Sequence, residues 1–244
     1  MISFPLAFAG LSLAAAMPAA AVREAPTPAS VWEQTNDPQD LGIQGGSEAA
    51  TRVVDWIAAS GNNHSLPYII VDKEAARAFL FDANGKQVAD APVLIGRALG
   101  DDASPGIGTK PLAEIGPAEK TTPAGRFLAK FGWAGGGHQV LWVDYATSVA
   151  LHTIPVGNKE HRTKRMLSST IEDNRITFGC INVPKKFYYG NVRPLFRKEG
   201  GYVYVLPDTK PLEAVFPLLR LQKPSNFPVT PGPVPAPSSD KQVM

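Results

Sequence analysis

The sequence predicts a mainly β fold, a sandwich or barrel with a few helices outside it. Three observations predict it. The 244 residues include 23 Pro and 22 Gly, which favours many turns and short strands over helical bundles. The apolar segments are short and rich in Val, Ile, Tyr and Phe. No heptad pattern and no internal repeat interrupts them.

The elements follow in chain order. Glu48 to Ser60 carries Val53, Val54, Trp56 and Ile57 at helical spacing, and Gly61 suits a helix stop. Pro67 to Asp72 reads as a strand. Ala76 to Asp82 and Lys86 to Ile95 flank Asp82-Ala83-Asn84-Gly85, a strong turn signal, and so read as a hairpin. Gly125 to Phe131 is a further short strand. Val140 to Leu151 reads as paired strands or as one long bent strand. Lys185 to Phe196 reads as a helix whose second half is weakened by Gly190 and Pro194. Tyr202 to Leu206 alternates aromatics with Val, as strands do. Leu212 to Leu221 is ambiguous, because Pro217 argues against a continuous helix.

The ends differ from this core. Residues 1–21 carry no charge, are mostly apolar, and end in Ala19-Ala20-Ala21, a pattern suited to cleavage of an export signal. No Lys or Arg precedes the apolar stretch, which is broken by Pro5 and Pro18 and too short for a convincing permanent membrane span. Residues 22–47 read as a linker, 48–66 as an N-terminal helix, 67–222 as the main folded domain and 223–244 as a Pro-rich tail without regular structure. The expected location is the periplasm or cell envelope. A net charge of +2 is too small to imply nucleic acid as a partner. The chain is read as a monomer.

Chemistry concentrates on Cys180, the sole cysteine. In an exported protein it has no intramolecular disulfide partner, so it is either an inert buried residue or a reactive thiol. Its setting is Arg175-Ile176-Thr177-Phe178-Gly179-Cys180-Ile181-Asn182-Val183-Pro184. Gly179 permits a tight turn and close approach of a substrate. Pro184 suits a helix start, and a thiol just before a helix N-terminus is biased towards thiolate. A thiol nucleophile needs a base, and the candidates are His64, His138, His152 and His161. His152 ends an apolar run, where a rigid strand can hold it. The other three lie in loops and read as exposed. One cysteine and four scattered histidines give no ligand-spaced pair, so neither a metal nor another cofactor is expected.

These residues resemble the L,D-transpeptidase, or YkuD-domain, family. That family carries a histidine, a spacer, then Ser/Thr-His-Gly-Cys followed by an apolar residue and Arg or Asn. Leu151-His152-Thr153 matches the first part and Thr177-Phe178-Gly179-Cys180-Ile181-Asn182 the second. Thr122-Pro123-Ala124-Gly125-Arg126-Phe127 resembles a Thr-Pro-x-Gly-x-Phe strand entry, and Val93-Leu94-Ile95-Gly96 the strand before it. The resemblance runs from about Pro67 to Pro207 and implies a YkuD-like fold. Two features depart from the pattern. Phe178 stands where the family has histidine. The spacer from His152 to Cys180 is long at 28 residues, and its extra part, Asn158 to Asn174, is basic and then Ser/Thr-rich. The spacing leaves His161 as a rival base.

The resemblance implies an exported acyltransferase acting on peptidoglycan stem peptides. Cys180 would be the nucleophile and His152 the general base, with oxyanion stabilisation from the backbone N–H of Cys180 together with that of Gly179. Arg175 either pairs with a substrate carboxylate or forms a salt bridge to Asp173 or another acid. Asn182 either orients a loop or substrate amide or caps the helix near Pro184. Thr177 either hydrogen-bonds the backbone near the nucleophile or is a plain strand residue. Phe178 gives the cleft an apolar wall. Two other readings stay open: a non-catalytic peptidoglycan-binding module, and an L,D-carboxypeptidase with water as acceptor.

Overall fold

The computed structural model describes residues 43–157 and 160–221. The signal segment, the linker as far as residue 42, residues 158–159 and the tail from residue 222 lie outside the described residues.

Ten strands form the frame: β1 (Tyr68–Asp72), β2 (Arg77–Phe81), β3 (Gln87–Pro92), β4 (Ile95–Gly96), β5 (Gly125–Ala134), β6 (His138–Asp144), β7 (Val149–Thr153), β8 (Arg175–Thr177), β9 (Ile181–Val183) and β10 (Gly201–Val205). Eight of them make one sheet in the order β3-β2-β1-β10-β5-β6-β7-β9. Leu94, just after β3, exchanges two backbone hydrogen bonds of 2.9 Å with Asn182 of β9. The sheet therefore nearly closes on itself. β4 and β8 form a separate parallel pair. The expected mainly β architecture holds, and near-closure makes it more barrel than sandwich.

β1 shows why the core lies on both faces of this sheet. All five of its residues are buried. Ile69 and Val71 face one cluster with Leu80, Leu141, Leu151 and Ile181. Tyr68 and Ile70 face the other, with Phe79, Tyr204 and Trp56. A strand buried on both faces reads as a continuous apolar run, as Tyr68-Ile69-Ile70-Val71 does. The second cluster is closed by α1 (Glu48–Ser60), which buries Ala50, Val53, Trp56 and Ile57 on one side. The Ser47 side chain accepts the Ala50 N–H at 3.2 Å, and Gly61 closes the helix in the left-handed conformation. Ile43 is buried in the same cluster, so the last residues expected to be linker pack on the fold.

The first cluster is covered by the segment expected to be one helix from Lys185 to Phe196. It forms α4 (Lys185–Phe187), a π-helical turn (Tyr188–Val192) and α5 (Arg193–Phe196) without a break. The π turn carries Gly190, and Pro194 follows it in α5. Phe187, Tyr188, Val192 and Phe196 turn inward. Val140 to Leu151 resolves as paired strands, with a turn between β6 and β7. Pro217 does break the last segment, which is α6 (Leu212–Val215) followed by a 3-10 turn from Pro217 to Leu221. No helix among the described residues is long and apolar enough to cross a membrane.

Candidate active site

The site forms where β7 and β9 run parallel. Their register sets Leu151 beside Ile181 and His152 beside Asn182. Leu151 and Ile181 fill the core, so His152 and Asn182 share the opposite face. Cys180, at the entry to β9, comes to the same face by strand alternation. Its thiol receives the Ala150 N–H, and Sγ lies 3.7 Å from the Ser148 carbonyl.

Cys180 is delivered by a turn that only glycine can make. Gly179 has φ +129°, and a Cβ there would come within 2.6 Å of the Thr121 carbonyl oxygen. Three side-chain contacts fix the turn. Thr177 Oγ1 donates to the Cys180 carbonyl at 2.6 Å and accepts the Gly179 N–H at 3.1 Å. Thr122 Oγ1 donates to the Gly179 carbonyl at 2.9 Å and accepts the Gly96 N–H at 2.8 Å. Thr177 is thus both a strand residue and a backbone clamp. Thr122, noted only as part of a strand-entry motif, is a second clamp.

The expected helix dipole does not act on the thiol. Three residues of β9 separate Cys180 from α4, whose N-cap is Pro184. Burial instead pushes the Cys180 thiol up, against smaller opposing effects of the Ala150 N–H and the Arg162 charge. Burial likewise lowers the His152 imidazole, helped by the charges of Arg162 and His138 and opposed by its bond to Thr153. Both shifts favour a neutral thiol beside a neutral imidazole.

The hydrogen-bond network assigns the tautomer of that imidazole. Nδ1 sits 2.7 Å from the Thr153 carbonyl, which can only accept, so Nδ1 carries the proton. Nε2 is left with its lone pair and lies 3.4 Å from Asn182 Nδ2. Asn182 is fully buried, and its Oδ1 accepts from Arg162 Nη1 at 2.8 Å. An arginine only donates, so this contact fixes which way the amide points. Asn182 is therefore no helix cap; it bridges an arginine and the imidazole. Arg162 opens α2 (Arg162–Met166), within the long spacer, and its other nitrogens pair with Glu160 at 2.8 and 3.0 Å. Sequence reasoning missed Arg162; its signal was the basic character of the spacer.

The remaining expected residues separate. His161 is exposed, with φ +53°, at the N-cap of α2. His64 is exposed against Tyr202. His138 is exposed at the start of β6 and acts on His152 only through charge. Arg175 pairs with Asp208 at 2.6 and 3.2 Å rather than with Asp173. Phe178 is 38% exposed and carries Lys120 Nζ 3.9 Å above its ring centre. The wall expected to be apolar thus bears a cation.

A second polar cluster backs the turn. Lys73 Nζ is fully buried and reaches the Gly100 carbonyl at 2.8 Å, Asp101 at 3.0 Å, the Thr122 carbonyl at 3.0 Å and Asp208 at 3.1 Å. Asp101 also accepts backbone N–H groups of Asp208, Thr209 and Lys210 and the Thr209 hydroxyl. The pairing of Asp208 with Arg175 completes it. Among the described residues, no group of three or more His, Cys, Asp or Glu is placed to hold a metal ion.

No family model matches the chain, and no curated protein matches it. Among solved structures it is similar to the L,D-transpeptidase (residues 123–326) from Xylanimonas cellulosilytica, with 13% identity and a TM-score of 0.32. The match covers 57% of this chain and 60% of that one.

Proposed function

We propose that this chain is an exported, cell-envelope cysteine acyltransferase of the L,D-transpeptidase type. It cleaves peptidoglycan stem tetrapeptides and passes the acyl group to an amine. One observation carries the reading: a lone thiol, presented on a glycine turn, shares a strand face with an imidazole whose Nε2 is the unprotonated nitrogen.

Cys180 Sγ attacks the carbonyl carbon of the third-position diamino acid while its proton passes to His152 Nε2. Charge separation is confined to this encounter, because burial disfavours either ion alone. The carbonyl oxygen becomes an oxyanion. Gly179 N–H is already held by Thr177 Oγ1, so the Cys180 N–H is the backbone donor assigned to it. The C–N bond then breaks, and the leaving D-Ala amine takes the proton from Nε2. The result is a thioester on Cys180. An acceptor amine attacks the thioester and gives its proton to Nε2. The sulfur leaves and recovers that proton. Asn182 holds the imidazole plane, with Arg162 behind it.

The test is incubation of the purified full chain with disaccharide-tetrapeptides, with products read by mass. A dimer less one D-Ala is expected from the wild type. Cys180→Ala should give none and remain folded, since a small side chain replaces a small one. Equal product from both proteins overturns the reading. Tripeptide without dimer assigns water as the acceptor and makes the chain an L,D-carboxypeptidase.

A further inference from the structure

Charge is segregated along one stretch of the chain. From Lys185 to Lys198 the chain carries Lys185, Lys186, Arg193, Arg197 and Lys198 and no acid, whereas the net charge of the whole sequence is only +2. All five are exposed. Among the described residues, none of them forms an ion pair with a carboxylate. A run of charge alone is usually a solvated face. Here it borders a groove of about 310 Å³ lined by Phe131, Gln139, Tyr189, Arg193, Pro194 and Arg197.

The groove has a built aromatic wall. Tyr188 is buried, and its hydroxyl donates to the Gln139 carbonyl at 3.1 Å. Its ring meets Phe131 edge-on at 6.0 Å and Tyr189 edge-on at 5.1 Å. The π turn thus sends Tyr188 inward and leaves Tyr189 outward, 53% exposed. Trp133 pairs with Gln139 across β5 and β6, shares the face of Phe131, and is 71% exposed. Arg193 and Arg197 are four residues apart, so they stand on one side of their helix.

This face is opposite to that of His152. Gln139 has the parity of Leu141, which pairs with Leu151 in the core, whereas Trp142 pairs with Ala150 on the His152 face. The groove is therefore distinct from the thiol site.

We propose that this groove binds an acidic polysaccharide. Exposed aromatic rings offer flat apolar faces to the C–H faces of sugars; Tyr189 supplies one in the groove, and Trp133 stands exposed on the strand face of Phe131. Guanidinium forks match carboxylates, and Arg193 and Arg197 supply two without a carboxylate partner. Lys185, Lys186 and Lys198, exposed in the same basic stretch, add longer-range attraction. A concave groove of this volume admits about one or two sugar rings. A membrane surface would call instead for a protruding apolar face. The basic face is also too limited for the many phosphate contacts that dominate nucleic acid binding.

The inference does not rest on the acyl-transfer reading, and Cys180→Ala is expected to bind as the wild type does. The probe is polygalacturonate, titrated against the full chain by calorimetry at low and at physiological salt. Dextran serves as the neutral control, with a single-stranded oligonucleotide and phosphatidylglycerol vesicles as the other arms. Polygalacturonate should bind, more weakly at the higher salt, and dextran should not. The pair Arg193→Ala with Arg197→Ala should weaken binding at least about tenfold and flatten the salt dependence. Tyr189→Ala should weaken it about tenfold while keeping the salt dependence, and Lys86→Ala, on the turn between β2 and β3 and outside the groove's lining, should change nothing. Arg193, Arg197, Tyr189 and Lys86 are exposed, and overlaid thermal melts check that each variant is folded. Unchanged binding in the arginine pair or in Tyr189→Ala overturns the proposal. Equal binding of dextran, or tighter binding of the oligonucleotide or the vesicles, overturns it as well.

Discussion

Two polar clusters reach the Gly179–Cys180 turn, and they differ in how completely their groups are satisfied. On one side, Lys73, Asp101, Asp208 and Arg175 form a balanced set of two cations and two anions. Backbone donors fill the remaining lone pairs of Asp101. On the other side, Arg162, Asn182 and His152 form a single chain whose last contact is long, at 3.4 Å. The first cluster holds loops in place: Lys73 grips the Thr122 carbonyl, and Thr122 grips Gly179. The second leaves an imidazole lone pair weakly engaged, as a base requires. Removing one partner from a buried, fully paired charge set leaves an uncompensated charge, which is costly.

Breaking the first cluster gives the largest expected effect. Lys73→Met leaves two buried carboxylates facing one arginine and should cost about 3–5 kcal/mol of stability by urea unfolding. The same cluster sets an acid limit. The Asp101 carboxyl is held well below the usual carboxylate range, against the effect of burial, by the N–H groups of Asp208 and Lys210, the Thr209 side chain and Lys73. Its contribution is present above the unfolded pKa of about 3.9 and is lost as pH falls towards the folded value. Urea stability of the wild type should decline as pH falls below about 4, and Asp101→Asn should flatten that slope. A wild-type stability that is level through this window breaks the contrast between the clusters.

The second cluster should fail in chemistry rather than in stability. His152→Ala should slow turnover about 100-fold or more, the scale for losing a general acid–base. Its thermal unfolding should move little, because His152 is only half-buried. His161→Ala should change neither. Rates of dimer formation by the purified variants decide the matter, and the reverse ranking would make His161 the base.

What the sequence made legible follows from the range of the interactions. α1 was readable at both ends, because Ser47 and Gly61 act within one turn of the residues they cap. The turn between β2 and β3 was readable because Asp82 Oδ1 accepts the N–H groups of Asn84 and Lys86 nearby. Cys180 and His152 were readable as uncommon residues in apolar settings. Asn182 was left between orienting a loop or substrate amide and capping the helix near Pro184, because β9 is three residues long and too short to display alternation; the structure sets its amide against Arg162 of the spacer. Lys73 lies in Asp72-Lys73-Glu74, which looks like a solvated charge run. Only partners 28 and 49 positions away bury it. Arg162 shows in the sequence only through the basic character of the spacer, because its partner Asn182 is 20 positions away.

Arg162 sharpens the comparison further, since it is the one cation in the second cluster. Its positive charge favours the Cys180 thiolate and disfavours the His152 imidazolium. Arg162→Gln should therefore raise both groups. The pH profile of Cys180 alkylation by iodoacetamide reads the thiol directly, and Arg162→Lys should restore most of the shift. An unmoved profile would reduce Arg162 to a structural tether of the spacer.

The smallest expected effect lies at Phe178, on the exposed wall that neither cluster controls. Phenylalanine cannot donate or accept a hydrogen bond, but Lys120 sits over its ring and gives the wall a positive charge. Phe178→His adds a titratable ring beneath that ammonium, and like charge there disfavours the imidazolium. The new histidine should thus remain mostly neutral near pH 7. Under the proposed mechanism Cys180 and His152 still carry the first half-reaction, so thioester formation, followed by intact mass, should stay within about tenfold, or roughly 1.4 kcal/mol in barrier. The second half-reaction depends on how the acceptor fits against the wall, so the ratio of cross-linked to hydrolysed product should move. Lys120→Met should move that ratio too, without the new ring. If Phe178→His instead gains thioester formation from an inert wild type, the chain is a disabled relative that binds its polymer without cutting it.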